Sequence, residues 1–295
     1  HIIGAAMKPT PAGLPIRITP ELDFDLDAAG VLGESQAAAY RQATPFPHIA
    51  IDNFLPEDLI ASICSHFPDE ATNNETLYER GYKGQHKRQI NPNQCDPYLK
   101  SIFYAFNSAP MLQFLEKLTG IEGLIPDPYF TGGGLHETKT GGFLGVHSDF
   151  RLNKKLNIER RLNAIIYLNK DWKEEYGGFF ELWDKNMEKC EKKILPIFNR
   201  LAIFSTTDFS YHGHPDALNC PEDMSRKSLA LYYYSNGRPA SEINQNAKHN
   251  TLFQERKNNE TDKTAFKVTG KEKIKSLIKD LTPPILYKKI KKGED

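Results

Sequence analysis

The sequence predicts a mainly β fold, an antiparallel jelly roll flanked by helices. Residues 129–235 contain short β-branched or aromatic runs separated by Gly, Asn, Asp and Pro clusters, the pattern of strands and turns in an antiparallel sandwich. The 295 residues, 39% of them hydrophobic, are enough for one large domain with a sizeable core. The strand candidates in this region are residues 162–168, 179–183, 201–205 and 228–234. We therefore expect a cupin-like β core.

The chain divides into four predicted segments. Residues 1–6 precede the first methionine and are interpreted as an expression remnant, so His1 is excluded as a metal ligand. Residues 7–128 are predicted to be an N-terminal support region of helices and strands, and residues 129–238 the β core. Residues 239–295 turn polar and basic, which predicts a separate C-terminal extension.

The N-terminal region shows several element signals. Residues 48–52 read as a strand, and Pro56 suits the first turn of the helix that follows it. Two further helices are predicted at residues 97–107 and 110–118, with Gly120 ending the second one. Residues 79–93 are polar, basic and aperiodic, so we expect a long loop there, and such loops are often functional.

The composition excludes several classes of protein. Lys plus Arg equals Asp plus Glu at 38 each, so no net field favours nucleic acid as a partner. The four cysteines include no CxxC pair, which argues against a zinc ribbon or a disulfide framework. No apolar run approaches the roughly 20 residues that span a bilayer. We therefore expect a cytoplasmic protein without a transmembrane segment.

One histidine and one carboxylate lie two residues apart in a strand-like stretch, residues 143–150. Successive strand residues alternate between faces, so His147 and Asp149 point to the same side. A lone HxD is common by chance in a chain with nine histidines. The pair supports a metal site only if a third ligand lies elsewhere in the chain.

That third ligand is supplied about 60 residues later, where His212-Gly213-His214-Pro215 ends a predicted strand. Two histidines and one carboxylate on one octahedral face leave positions open for a co-substrate and O2, which indicates iron(II). Zinc more often has a closed tetrahedron or a third histidine. Spacing alone leaves His212 and His214 as alternatives, because they share a face.

In these motifs the chain resembles the prolyl-4-hydroxylase-like branch of the 2-oxoglutarate and iron(II)-dependent dioxygenases. The matching pieces, in order, are Gly141-Gly142 with His147 and Asp149, Tyr167-Leu168-Asn169 with Gly177-Gly178, His212-Gly213-x-Pro215, and Arg226-x-Ser228. The resemblance implies a double-stranded β-helix, iron(II), O2 and 2-oxoglutarate, with ascorbate as a supporting reductant. Its HGxP pattern begins with the ligand and therefore favours His212.

2-Oxoglutarate needs a buried cation for its distal carboxylate. Arg226 suits this role because its planar guanidinium binds carboxylates in a bidentate manner and stays charged when desolvated. Ser228 lies two residues further on the same face, whereas Lys227 points to the opposite side. Tyr167 and Asn163 share a strand parity that lets both face the cavity. The alternatives are a solvated strand edge for Arg226 and ordinary core packing for Tyr167.

The candidates for substrate contacts are less specific. The residues proposed for them are the basic residues of the predicted loop, Arg80, Lys83, Lys87 and Arg88, together with Asn163 and His214. A basic loop can attract an anionic substrate, although a merely solvated loop has the same composition. Thr138 stands where collagen-type members of the resembled branch have a tyrosine, which argues against transferring their peptide substrate.

The C-terminal tail carries 12 Lys or Arg and 7 Asp or Glu in residues 251–295. Apolar residues at helical spacing predict a short amphipathic helix over residues 272–281. The following phrase LTPPILYK is similar to tails on enzymes of bacterial cell-surface polysaccharide assembly. It favours a glycan setting and loose contact with a membrane surface or a partner enzyme.

The function predicted from these features is hydroxylation of an unactivated C–H bond in a small-molecule or sugar-like substrate. The alternative enzyme is a peptidyl, prolyl-type hydroxylase. A non-enzymatic cupin-like binding protein is the third class, and the complete set of three metal-ligand candidates with Arg226 argues against it. Desaturation and epimerisation remain open within the enzymatic class.

Overall fold

The computed structural model describes residues 2–3, 22–69, 76–78, 84–246, 251–264 and 266. This part of the chain forms four α-helices and fourteen strands with defined bounds, and residues 260–264 and 266 are helical as well. The helices are α1 (Leu26–Arg41), α2 (Glu57–Ser65), α3 (Pro97–Phe106) and α4 (Ala109–Thr119). The first seven strands are β1 (Ile2–Ile3), β2 (His48–Ile51), β3 (Thr76–Tyr78), β4 (Gln85–Ile90), β5 (Ile125–Pro126), β6 (Gly134–Ser148) and β7 (Leu152–Asn153). The others are β8 (Ile158–Tyr167), β9 (Phe180–Trp183), β10 (Cys190–Ile194), β11 (Leu201–Ser205), β12 (His212–His214), β13 (Ser225–Ser235) and β14 (Leu252–Phe253).

The long strand β6 joins two sheets into a jelly roll. Its first part pairs antiparallel with β13 and β4, and these belong to the sheet that continues through β8, β11 and β2. Its last part pairs with β12 and β14, and the second sheet continues through β9 and β10. The predicted jelly roll is confirmed, and β6 passes from one sheet to the other just before the HxD motif.

The helices form where local sequence signals begin and end them. In α3, Asp96 accepts a hydrogen bond from the Leu99 amide at 2.8 Å, and Pro97 occupies the first turn. In α4, Gly120 adopts φ 75° as the C-terminal stop. Both helices and the earlier α2 are confirmed. Helix α1 was not predicted, because its small residues give no apolar stripe.

Two apolar clusters hold these layers together. The larger one lies between the helices and the outer face of the β13-containing sheet and includes fully buried Phe103 and Phe114. Each such side chain contributes about 1.5–3 kcal/mol by leaving water. A smaller cluster lies between the two sheets, around Phe180 and Phe204. The larger cluster is continuous across residue 128, so the predicted support region and β core share one core.

Two sequence expectations are corrected here. Residues 79–93 are not one long loop, because Gln85–Ile90 form β4 and pair with β6. The extension from residue 239 is not separate from the core either. Its strand β14 pairs with the end of β6, where Phe253 lies opposite His147.

Other predictions about the chain ends are only partly visible. Ile2–Ile3 of the presumed remnant pair in parallel with β10. The amphipathic helix predicted over residues 272–281 lies outside the described residues. Within the described part of the chain, no helix is both long and apolar enough to cross a membrane.

Candidate active site

Three side chains converge between the two sheets, at the end of β6 and the start of β12. His147, Asp149 and His212 each present one potential ligand atom, and these atoms all lie within 4.8 Å of one another. The Nε2 atom of His147 is 3.5 Å from Oδ1 of Asp149, and Nε2 of His212 is 3.4 Å from Oδ2. The antiparallel register places His212 directly opposite His147. The fold therefore assembles the three residues that the sequence singled out.

Backbone carbonyls fix the orientation of both imidazoles. Nδ1 of His147 lies 2.8 Å from the Gly145 carbonyl oxygen, and Nδ1 of His212 lies 2.8 Å from that of Ser210. Since a carbonyl oxygen only accepts, each Nδ1 carries the proton and donates it. Each Nε2 therefore keeps a lone pair that faces Asp149, as a metal ligand requires.

A buried network holds the Asp149 carboxylate. Its Oδ2 accepts a 2.8 Å hydrogen bond from Asn163 Nδ2 and lies 3.1 Å from Arg160 Nη2. Arg160 also donates from Nε and Nη2 to Asn163 Oδ1, at 2.9 and 2.7 Å. These two hydrogen bonds fix the Asn163 side-chain amide so that its NH2 group faces Asp149. Tyr232 covers the guanidinium, with Arg160 Cζ 3.5 Å from the ring centroid.

Burial and charge set the protonation states needed for a metal. Burial alone would raise the pKa of Asp149, but Arg160 and the two neighbouring imidazoles outweigh it and lower that pKa below its usual range. Burial, more than any other cause, lowers the pKa of His212 to about 4. A carboxylate and a neutral imidazole are thus the stable forms near neutral pH.

The structure separates the two histidines of the HGHP motif. His214 is buried in the same cavity, but it is not part of the cluster around Asp149. Its Nδ1 has no hydrogen-bond partner among the described residues. A side chain at Gly213 would meet the backbone of β6, with the Gly145 oxygen only 2.7 Å from its Cβ. The glycine therefore allows β12 to approach β6 closely enough to bring His212 to His147.

Arg226 extends into the other end of this cavity. Its Nε donates to the Gly178 carbonyl at 2.8 Å, and its Nη2 lies 3.5 Å from the Tyr167 hydroxyl. Within the described part of the chain, no carboxylate lies within 4.0 Å of its guanidinium. Gly178 has φ +69°, and an added Cβ would lie 3.0 Å from Arg226 Cδ, so the glycine leaves room for the arginine. Ser228 lines the same cavity.

The strand parity predicted for β13 holds in the structure. Arg226 and Ser228 line the cavity, whereas Lys227 points to the opposite side of the sheet. There Lys227 Nζ lies 3.6 Å from a Glu137 carboxylate oxygen. Burial raises the pKa of Tyr167, so its phenol remains a hydrogen-bond donor.

His136 was missed as a site candidate, and Lys87 was predicted only as part of the basic loop. Lys87 on β4 and His136 on β6 both line the cavity, and Lys87 Nζ donates to His136 Nδ1 at 2.6 Å. Burial, followed by the nearby Arg226 charge, lowers the pKa of Lys87 to about 7. Burial also lowers the pKa of His136 well below its usual value. Residues 85–89 are all polar, so no strand was predicted around Lys87.

The other predicted substrate contacts have different outcomes. Arg88 does not face the cavity; it binds Glu137 and donates to the Pro68 carbonyl at 2.7 Å on the opposite side of the sheet. Asn163 lines the cavity, but its amide supports Asp149. Arg80 and Lys83 lie outside the described residues.

The jelly roll and the cluster of two imidazoles and one carboxylate define the class as a mononuclear metal-dependent oxygenase. Residues 133–234 match the family described as the 2OG-Fe(II) oxygenase superfamily. The β core of the chain therefore carries a 2OG-Fe(II) oxygenase domain, whose cofactors are iron(II), 2-oxoglutarate and O2. The family and cofactors predicted from the sequence are confirmed.

Solved structures with a similar fold have low sequence identity. A Pseudomonas putida prolyl-4-hydroxylase is 20% identical, with a TM-score of 0.47, over 68% of this chain and 99% of that chain. A Trichoplax adhaerens prolyl hydroxylase, in complex with a hypoxia inducible factor peptide, is 17% identical with a TM-score of 0.49, over 71% and 92%. HygX from Streptomyces hygroscopicus, with nickel, 2-oxoglutarate and hygromycin B bound, is 11% identical with a TM-score of 0.46, over 68% and 86%.

Proposed function

We propose that this dioxygenase hydroxylates an unactivated C–H bond of a small-molecule or sugar-like substrate, with His147, Asp149 and His212 as its iron(II) ligands. The observation that carries the ligand assignment is the convergence of their donor atoms within 4.8 Å. Two neutral nitrogens and one carboxylate suit iron(II) and leave one side of the metal open. Asn163 and Arg160 hold the carboxylate in position for this role.

The distal carboxylate of 2-oxoglutarate binds Arg226 in this proposal. The guanidinium is buried, and its hydrogen-bond partners among the described residues are neutral, the Gly178 carbonyl at 2.8 Å and the Tyr167 hydroxyl at 3.5 Å. A buried cation is stabilised by an opposite charge with matching geometry. Tyr167 accepts from Arg226, which leaves its own hydroxyl proton for the carboxylate, and Ser228 supplies a second hydroxyl.

Bound iron(II) supplies O2 activation, so that one oxygen atom enters the substrate C–H bond while 2-oxoglutarate and the other oxygen atom give succinate and CO2. The protein's own contribution is orientation and exclusion of water. Phe204 and Phe180 pack against His212, with ring centroids at 4.5 and 5.7 Å. His147 and His212 are 7% and 4% exposed, so the fold shields both imidazoles from bulk water.

Two features support a small substrate. The proposed ligands are buried, and a compact group reaches buried side chains more easily than a folded chain does. Thr138 also lies in the cavity-forming part of β6, at the position where collagen-type enzymes have tyrosine. His214 is the residue placed to contact the substrate or the co-substrate, because its buried Nδ1 is without a partner among the described residues.

The first experiment tests the metal and co-substrate assignment. Anaerobic titration of the protein with iron(II) and 2-oxoglutarate should give the metal-to-ligand absorption band, and exposure to O2 should release succinate slowly without substrate. Tightly bound zinc that iron(II) cannot replace, with no succinate formed, would contradict the assignment.

The second experiment tests the substrate class. Sugars, nucleotide sugars, amino acids and peptides are incubated with the protein, iron(II), 2-oxoglutarate and ascorbate, and products are examined by mass spectrometry. Addition of one oxygen to a small molecule is the expected result. Addition of one oxygen to a peptide, with none of the small molecules changed, would replace the proposal with a peptidyl hydroxylase.

A further inference from the structure

Three residues on neighbouring strands lie side by side across the cavity wall near Arg226. Arg226 on β13 pairs with Thr138 on β6, which pairs in turn with Lys87 on β4. Neighbouring strands are about 4.8 Å apart, so the Cα atoms of Lys87 and Arg226 are roughly 10 Å apart. Both side chains line the triad cavity, and they are only 5% and 6% exposed. Two long cationic side chains therefore extend into one end of the cavity.

The neighbouring row brings the Lys87 ammonium toward the proposed carboxylate site. In this row Ser228 pairs with Tyr167 on one side and with His136 on the other. The 2.6 Å contact between Lys87 Nζ and His136 Nδ1 places the ammonium beside that row. Arg226, Ser228 and Tyr167 thus approach the site from one side, and Lys87 approaches it from the other.

The nearest acidic side chain of this wall faces the opposite way. Glu137 lies between His136 and Thr138 on β6 and binds Arg88 and Lys227 on the far side of the sheet. The carboxylate that lines the cavity, Asp149, belongs to the metal cluster. Lys87 and Arg226 both line this cavity, and the Arg226 charge disfavours the charged form of Lys87. An anion between them relieves this repulsion.

We propose that Lys87 is a second cation for 2-oxoglutarate, whose distal carboxylate lies between Lys87 and Arg226. This inference rests on the proposed function, because it takes Arg226 as the first anchor. Lys87 is then a positioning and specificity residue: it acts only on co-substrates that carry the distal carboxylate. A keto acid without that group, such as pyruvate, offers no distal carboxylate for Lys87 or Arg226 to bind.

The experiment compares three lysine and arginine variants. Protein loaded with iron(II) under anaerobic conditions is titrated with 2-oxoglutarate, and the metal-to-ligand absorption gives the Kd. Lys87→Met should raise the Kd on the order of 10-fold, the loss of one charge-assisted hydrogen bond, and Arg226→Met should raise it on the order of 100-fold. Lys227→Met is the matched control, since Lys227 lies next to Arg226 but on the opposite face, and should change the Kd less than about twofold.

Two further measurements separate anchoring from a structural role. Lys87→Arg, which keeps the charge, should recover most of the affinity, and Lys87→Met should raise the KM for 2-oxoglutarate by a larger factor than it lowers kcat. If the methionine variant fails to fold, Lys87→Gln carries the same expected rise in Kd. Thermal unfolding of each loaded variant checks that the protein is intact.

The outcomes distinguish this inference from the proposed function. A Lys87→Met variant that binds 2-oxoglutarate as tightly as Lys227→Met overturns the inference, while a weakened Arg226→Met still supports the proposed anchor. If Arg226→Met also binds 2-oxoglutarate normally, the anchor assignment and the inference both fail. The expected pattern is a large loss for Arg226→Met, a smaller loss for Lys87→Met and rescue by Lys87→Arg.

Discussion

The Phe253 ring packs against the His147 imidazole, with ring centroids 5.0 Å apart and an interplanar angle of 37°. This contact comes from β14, which adds a short strand to the end of β6 and also bonds through the Gln254 amide to the Val146 carbonyl at 2.7 Å. A segment far along the chain therefore covers one side of a proposed iron ligand. The C-terminal region takes part in the active site.

Replacing Phe253 should weaken metal binding. Without the ring, the His147 imidazole gains freedom and contact with water, and loss of a supporting partner around a metal ligand typically costs about 10 to 100-fold in affinity. We expect Phe253→Ala to reduce iron(II) affinity by about 10-fold, measured by competition with a chelator. Leu252→Ala is the control, because Leu252 lies next to Phe253 in β14 but pairs with Ser148 and not with His147. Equal affinities in the two variants would contradict this prediction.

Arg256 should hold β14 in place. Its guanidinium binds Asp262 through Nε at 3.0 Å and Nη2 at 2.8 Å, and its Nη1 lies 2.7 Å from Asp216, just after the HGHP motif. Removing one partner of a buried ion pair costs on the order of 3 to 5 kcal/mol. Arg256→Met should therefore lower the hydrogen-exchange protection of the Gln254 amide by at least about 100-fold.

The control for this prediction is Lys257→Met. Lys257 is 61% exposed in its side chain and forms a solvated pair with Glu188, and such pairs contribute little. Its replacement should leave the protection of the Gln254 amide unchanged. The same loss of protection in both variants would show that Arg256 does not hold β14 in place.

The metal-ligand candidates were predictable because strand alternation is a local rule. It placed His147 with Asp149, and Arg226 with Ser228, without any knowledge of the partner strands. It could not place Lys87 on a strand, because a strand with polar residues on both faces has no hydrophobic period and is predicted as a loop.

The support around Asp149 was beyond sequence reasoning for a different reason. Arg160 and Asn163 are three residues apart on a strand, so their parity differs, and no strand rule places both on one carboxylate. Helix α1 was missed because its burial depends on packing against α4. Its small residues form no apolar pattern that would predict this contact. Tertiary contacts of this kind become visible only in the folded chain.

Asn163 should matter for metal binding rather than for substrate contact. Asn163→Ala removes the 2.8 Å hydrogen bond to Asp149 and frees Arg160 to shift. Iron(II) affinity should fall by about 10-fold or more. Asn169→Ala is the matched control, because Asn169 is also buried and its side-chain amide also forms hydrogen bonds. It donates to the Pro196 carbonyl and accepts from the Lys227 backbone amide. It should lower stability while iron(II) affinity stays near the wild-type value.

The two histidines of β12 should differ sharply. His212→Ala removes one of three ligands and should abolish the anaerobic iron(II)–2-oxoglutarate absorption band, because the metal is then held by two groups. His214→Ala should retain the band and change mainly turnover, with a loss of about 10 to 100-fold. Should His214→Ala lose the band while His212→Ala keeps it, the ligand assignment is wrong by two residues.

Proton uptake should accompany binding of 2-oxoglutarate above neutral pH. Without an anion the pKa of Lys87 is lowered to about 7, first by burial and then by Arg226. Most Lys87 side chains are therefore neutral at pH 8. A carboxylate beside the ammonium favours the charged form and raises this pKa, so binding at pH 8 takes up close to one proton. At pH 6 the side chain is already protonated, and the uptake due to Lys87 should vanish.

The measurement is calorimetric titration of the iron(II)-loaded protein with 2-oxoglutarate in HEPES and in Tris, whose ionisation enthalpies differ. Besides Lys87, the titratable groups around the site are Arg226 on β13, His136 on β6 and His214 on β12. Burial lowers the pKa of both histidines well below the ordinary value, so neither carries a proton to release at pH 8. Arg226 stays charged at both pH values. Comparison with Lys87→Met isolates the lysine, because every other proton exchange, including any at the metal, occurs in both proteins. Equal proton uptake in wild-type and Lys87→Met protein at pH 8 would show that the carboxylate does not lie beside Lys87.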